Sequence, residues 1–138
     1  MSASTKLSTA VKALCYLSKT YPVPKSSLEI AEHIGVNASK LRKILSMLVK
    51  NNIVQSTHGT SGGFLLKKNA EKLHLQEIYC AVEDRKAFYL DVTEASKKRG
   101  GETKRMNNFF LDLFADVQIE IENKMKRITL QSVIDKTS

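Results

Sequence analysis

Ser39, Lys40, Arg42 and Lys43 fall within five positions, and His58–Gly59–Thr60–Ser61–Gly62–Gly63 begins fifteen residues later. These are the residues whose types and spacing could do chemistry, and the chemistry is that of gripping a polyanion. Lysine and arginine offer cations to phosphates, while serine and arginine offer hydrogen-bond donors to base edges. Three glycines let a backbone turn tightly and approach another molecule closely. Bond-making chemistry has no comparable foothold. His33, His58 and His74 lack a spacing suited to a metal, and no Ser-His-Asp or paired-carboxylate pattern stands out. No catalytic residue, metal or cofactor is therefore expected. The glycine run is no nucleotide phosphate loop either: G-x-x-x-x-G-K-[ST] is absent, and strand-like segments flank it on both sides.

The charge distribution agrees. The net charge is +8. Residues 1–69 carry ten Lys and Arg against only Glu29 and Glu32, whereas residues 70–138 carry twelve of each sign. A solubility bias would be spread along the chain; confinement to one half favours a polyanionic partner, double-stranded DNA, over a merely solvated basic face. With 138 residues, 42% of them hydrophobic, the chain is expected to fold as one domain or one domain with an appended element. Two cysteines fit a reduced compartment better than a secreted scaffold. No signal-like start and no apolar run near 20 residues is present, so a cytoplasmic protein without membrane contact is expected.

The elements that must position these residues can be read in order. Leu7, Ala10, Val11, Leu14, Leu17 and Tyr21 recur at helical spacing, giving a helix from Lys6 to about Thr20 that Pro22 and Pro24 end. Ser26 or Ser27 caps a second helix to about His33, with Ile30, Ala31 and Ile34 inward, and Gly35 closes it. Asn37 caps a third helix to about Asn51. Its apolar face is Leu41, Ile44, Leu45 and Leu48; its other face holds Ser39, Lys40, Arg42, Lys43, Ser46 and Lys50. Two helices about a glycine turn are a helix-turn-helix, the second being the recognition helix. Strand formers at Ile53–Thr57 and Phe64–Lys67 bracket the glycine run, making it the tip of a DNA-contacting wing.

Four stretches carry a family resemblance: KLSTAVKAL (6–14), SSLEIAEHIGVNASKLRKILSMLVKNNIVQSTHGTSGGFLLKK (26–68), LHLQEIYCAVED (73–84) and ITLQSVI (128–134). In order and content they resemble the Rrf-two family of bacterial regulators along nearly the whole chain, the G-x-x-G-G wing being the most specific part. The resemblance implies a dimeric winged-helix transcription factor on an imperfect palindrome. It implies base contacts at Ser39 and Arg42, and it sets His58 and Gly59 at the wing's Arg-Gly. Histidine departs from that pattern, since an arginine would bring a permanent charge to a narrow minor groove. Lys40 and Lys43 join the major-groove set, Thr60 the wing set, and Lys6, Ser8 and Thr9 are expected at phosphates near the start of the first helix. Cluster-binding members carry three closely spaced cysteines between Val82 and Met106; this chain has none there, so a cluster-free member, acting as a repressor, is expected.

Beyond the wing, Leu73, Leu75, Ile78, Tyr79 and Val82 form a short amphipathic helix, and a polar loop runs from Glu83 to Lys104. A long helix follows, about Lys104–Arg127. Met106, Phe109, Phe110, Leu113, Phe114, Val117 and Ile121 keep the helical period on it, and a twin helix in a homodimer would bury that stripe. The expected fold is mainly α: a winged helix-turn-helix with a two-stranded β wing and a long C-terminal dimerisation helix. Its expected division is 1–84 for DNA binding, 85–103 as a loop, and 104–138 for the dimerisation helix and a return segment. Cys80, opposite the apolar face of its helix, and Cys15 are the candidate redox residues. A small-molecule or protein effector is the remaining partner. The rival function is a winged-helix module that docks a protein and binds no specific DNA.

Overall fold

Each short helix begins where a side chain takes up an amide that helix geometry leaves free. In the computed structural model, which describes residues 5–83 and 101–138, helix α1 (Thr5–Thr20) is followed by α2 (Ser27–Ile34) and α3 (Ala38–Lys50). Ser26 caps α2 through a reciprocal pair of bonds: its Oγ accepts from Glu29 N, and its own amide donates to Glu29 Oε1, both at 3.1 Å. Gly35 ends α2 at φ 71° and ψ 40°, a left-handed conformation that glycine adopts without penalty. Asn37 Oδ1 accepts from Lys40 N at 3.1 Å and starts α3. The helix-turn-helix is therefore fixed at both ends of its turn by local chemistry.

Strands β1 (Val54–Thr57) and β2 (Gly63–Leu66) pair antiparallel, from Val54 opposite Leu66 to Thr57 opposite Gly63. Ile53, expected as the first strand residue, sits just ahead of β1 as a fully buried core residue. Helix α4 (Leu75–Val82) starts two residues later than its apolar pattern, because His74 is extended. Its ring Nδ1 accepts from Glu77 N at 3.2 Å, and its backbone bridges to Thr129. Helix α5 (Gly101–Lys126) starts three residues ahead of the expected Lys104, and α6 (Leu130–Thr137) is capped by Thr129. The rest of the polar loop expected between Glu83 and Lys104 lies outside the described residues.

The described residues up to Glu83, together with those from Met125 onward, form one compact unit. Its core joins Leu14 and Leu17 of α1, Ile30 of α2, Leu41, Ile44, Leu45 and Leu48 of α3, Ile78 of α4 and Leu130 of α6. Burying such side chains contributes about 1.5–3 kcal/mol each, which fixes the pose of α3 against α1 and α4. The expected grouping of 104–138 is thereby divided. The return segment belongs to the winged unit: Leu130 N donates to Leu73 O at 2.7 Å, and Leu75 N donates to Ile128 O at 2.9 Å. Helix α5 as far as Lys124 belongs to a second unit. Along it Met106, Phe109, Phe110 and Leu113 are exposed, and Phe114, Val117 and Ile121 are half-buried.

Candidate nucleic-acid interface

Helix α3 divides cleanly between two environments. Leu41, Ile44, Leu45 and Leu48 are buried, and that registration turns Ser39, Lys40, Arg42, Lys43, Ser46 and Lys50 outward, all exposed. The four recognition-helix candidates thus share one accessible face. Lys40 Nζ donates to Thr5 Oγ1 at 3.2 Å, and Arg42 Nε donates to Ser27 Oγ at 3.1 Å. Both bonds leave the helix for another element. Sequence reading missed Thr5 and Ser27 in these roles, since no local pattern marks a bond spanning thirty-five or fifteen residues.

The wing is shaped by its glycines for distinct reasons. Gly59 has φ 101°, a backbone conformation that other residues rarely adopt. A Cβ on Gly62 would lie 2.6 Å from Thr57 O, and one on Gly63 would lie 2.6 Å from the Lys25 carbonyl. The close approach at Gly63 exists because the segment before α2 joins the wing: Lys25 N donates to Phe64 O at 3.1 Å, and Phe64 N donates to Lys25 O at 2.8 Å. Thr57 Oγ1 closes the tip by accepting from Gly63 N at 2.9 Å. This leaves His58, Gly59 and Thr60 exposed at the tip. Because Ser26, next to Lys25, caps α2, the wing and the helix-turn-helix are tied together through the backbone.

The first helix divides its three candidates. Lys6 is half-buried and Ser8 exposed, but Thr9 is only 5% exposed. Thr9 falls on the same turn as the buried Ala10 and Ala13, so its hydroxyl faces the core side and is withdrawn from the phosphate set.

A profile of the Rrf2 family, described as an iron-dependent transcriptional regulator, matches residues 3–136. The chain belongs to the Rrf2 (Rrf-two) family. It is 30% identical over 129 residues to the HTH-type transcriptional regulator IscR of Klebsiella pneumoniae, covering 92% of this chain and 74% of that one. Among solved structures, T. potens IscR superposes with a TM-score of 0.75 at 22% identity, over 100% of this chain and 89% of that one. CymR (YrzC), the global cysteine regulator of B. subtilis, gives 0.74 at 20% identity, over 100% and 99%. These two support the Rrf2 fold, a mainly α winged helix-turn-helix. The protein is a transcriptional regulator and not an enzyme, and membership implies DNA binding.

Iron dependence in the family profile raises the question of ligands. An iron–sulfur cluster needs thiolates gathered at one place. This Rrf2 chain has two cysteines in all, Cys15 on α1 and Cys80 on α4, both free. Among the described residues no three His, Cys, Asp or Glu side chains are grouped to hold a metal. The donor set does not fit a cysteine-held cluster. Of the two redox candidates, Cys15 is half-buried, and burial pushes its thiol up against a smaller opposing pull from Lys19, a direction that disfavours the reactive thiolate. Cys80 is exposed, with Gln76 Nε2 at 3.3 Å from its sulfur. No described helix is long and apolar enough to cross a membrane.

Proposed function

We propose that this Rrf2 protein is a cluster-free repressor that binds a palindromic operator as a homodimer. The observation that carries this is the outward face of α3, where Ser39, Lys40, Arg42 and Lys43 stand exposed in a unit whose backbone also fixes the wing. In this arrangement α3 enters the major groove, and His58, Gly59 and Thr60 lie at the minor groove. Lys6 and Ser8 meet phosphates beside the start of α1. Phosphate contacts set the register and base contacts choose the site.

The homodimer is supported by α5. Phe109 is 59% exposed and Met106 50%, on a helix of 26 residues, about 39 Å long at 1.5 Å per residue. Aromatic side chains left in water along one stripe favour a partner, and a second copy supplies an identical stripe with two-fold symmetry. Residues 1–84 then serve to read DNA, the segment between them and α5 to connect, and α5 to pair protomers. Repression follows from occupancy, because a dimer across two half-sites covers the duplex that a polymerase must enter.

Selection of random duplexes by the purified protein tests this. Recovered sequences should contain inverted half-sites one helical turn apart, about 34–36 Å, or a multiple of it. Recovery of single, unrepeated half-sites would refute the dimer, and recovery of no enriched sequence would favour a protein-docking module.

A further inference from the structure

Arg42 does not project from α3 as an unrestrained side chain. Its Nε–H donates to Ser27 Oγ at 3.1 Å, binding the recognition helix to the first residue of α2. Ser27 is not required as the cap of α2, since Ser26 performs that task. Lys40, two positions earlier, is held differently: its Nζ donates to Thr5 Oγ1 at 3.2 Å, beside Lys6 at the start of α1. The two cations are thus drawn to different helices.

This arrangement limits what each cation can read. A guanidinium has five N–H donors in a rigid planar fork. With the Nε–H engaged by Ser27, the two terminal nitrogens remain and present parallel N–H bonds from the outer end of the group. In the major groove a pair of adjacent acceptors, O6 and N7, belongs to guanine; adenine sets a donor beside N7, thymine has only O4, and cytosine offers a donor. Given DNA binding as proposed above, we infer that Ser27 is a positioning residue that holds Arg42 to read one guanine in each half-site, while Thr5 holds Lys40 for a backbone phosphate.

Water competes for both partners of the exposed Ser27–Arg42 bond, so it adds little to folding. Its consequence lies in binding. A restrained arginine loses less rotamer freedom when it meets its base, and immobilising one such side chain is worth about three- to tenfold in affinity. That gain applies only to the duplex on which the bidentate contact forms. Removing the serine hydroxyl therefore weakens discrimination and leaves general DNA affinity alone.

Fluorescence anisotropy with the full chain tests this, using a selected operator, each of its single-base-pair substitutions, and random-sequence duplex. Arg42→Ala should abolish a preference of about 5- to 150-fold at one G·C pair per half-site. Ser27→Ala should reduce the preference at that same pair about three- to tenfold, with affinity for random duplex and thermal unfolding unchanged, and Ser27→Thr should restore it. Lys40→Ala should lower the slope of log affinity against log salt by about one and leave base preferences intact. An unchanged preference in Ser27→Ala, an equal loss on operator and random duplex, or an Arg42-dependent pair other than G·C would overturn the inference while wild-type operator binding stands. Absence of salt-dependent binding by the wild type would instead remove the DNA-reading function, and the role of Ser27 with it.

Discussion

His58 stands exposed at the wing tip, in the position that the family resemblance gives to an arginine. His58→Arg would place a permanent charge there. Its expected effect is tighter DNA binding at low salt and a log–log salt slope steeper by about one, measured by titration across ionic strengths. An unaltered slope would show that the wing tip stays clear of the phosphates. Glu29 makes a prediction of a different kind. The Ser26 amide, then its hydroxyl, and more weakly Lys25 hold the Glu29 carboxyl below its ordinary value of 4.5. Its folded-state value lies under the unfolded one, so the stabilisation is full above about pH 4.5 and is lost as pH falls through the folded value. Glu29→Gln should lower Tm at neutral pH by that charge-dependent share and flatten the acid side, so that the two Tm–pH curves converge at low pH; a curve parallel to the wild type would mean that the capping carboxylate carries no charge-dependent share. Thr9 shows where single residues escape sequence reading. Its position at the start of α1 matched a phosphate contact, but only the packed structure reveals that its face of the helix is buried.

At the scale of elements, local signals carried most of what was legible. Gly35 and Asn37 mark the ends of the helix-turn-helix turn because their chemistry acts within four residues. Leu41, Ile44, Leu45 and Leu48 of α3 are all buried because one helical period decides them. What escaped were the contacts made across sequence beyond the wing's own two strands. Lys25 pairs with Phe64, and His74 with Thr129, through backbone groups that all residue types possess, so no side chain announces them. The return segment adjoins the long helix in sequence, whereas Leu130 and Ile134 enter the winged core. The wing offers a direct check on this non-local pairing. Gly63→Ala sets a Cβ 2.6 Å from the Lys25 carbonyl, a backbone atom unable to yield as a flexible side chain would. It should cost about 1–3 kcal/mol of stability by denaturant unfolding, as overpacking does, and weaken operator binding. An equal stability in Gly63→Ala would contradict the packing of Lys25 on the wing.

For the whole molecule, the proposed function gives separate tasks to the basic half of the chain and to the exposed stripe of α5, DNA binding to the first and pairing of protomers to the second. Phe109 and Phe110, whose ring centroids lie 5.5 Å apart, sit on the stripe. Replacing both with glutamate should give a monomer by light scattering that remains folded, since neither belongs to the winged core. That monomer should retain weak half-site binding and lose the affinity gained from two linked contacts, commonly 10²- to 10⁴-fold. A dimer that persists would move the interface elsewhere. The central claim, that the basic half of this Rrf2 chain engages DNA, is tested most directly by equilibrium binding of the wild-type protein to a selected operator between about 50 and 200 mM salt. Release of counterions from 6–10 neutralised phosphates should lower affinity by about 10³- to 10⁵-fold over that range. Affinity that stays flat across the series, or that is absent throughout, would contradict it.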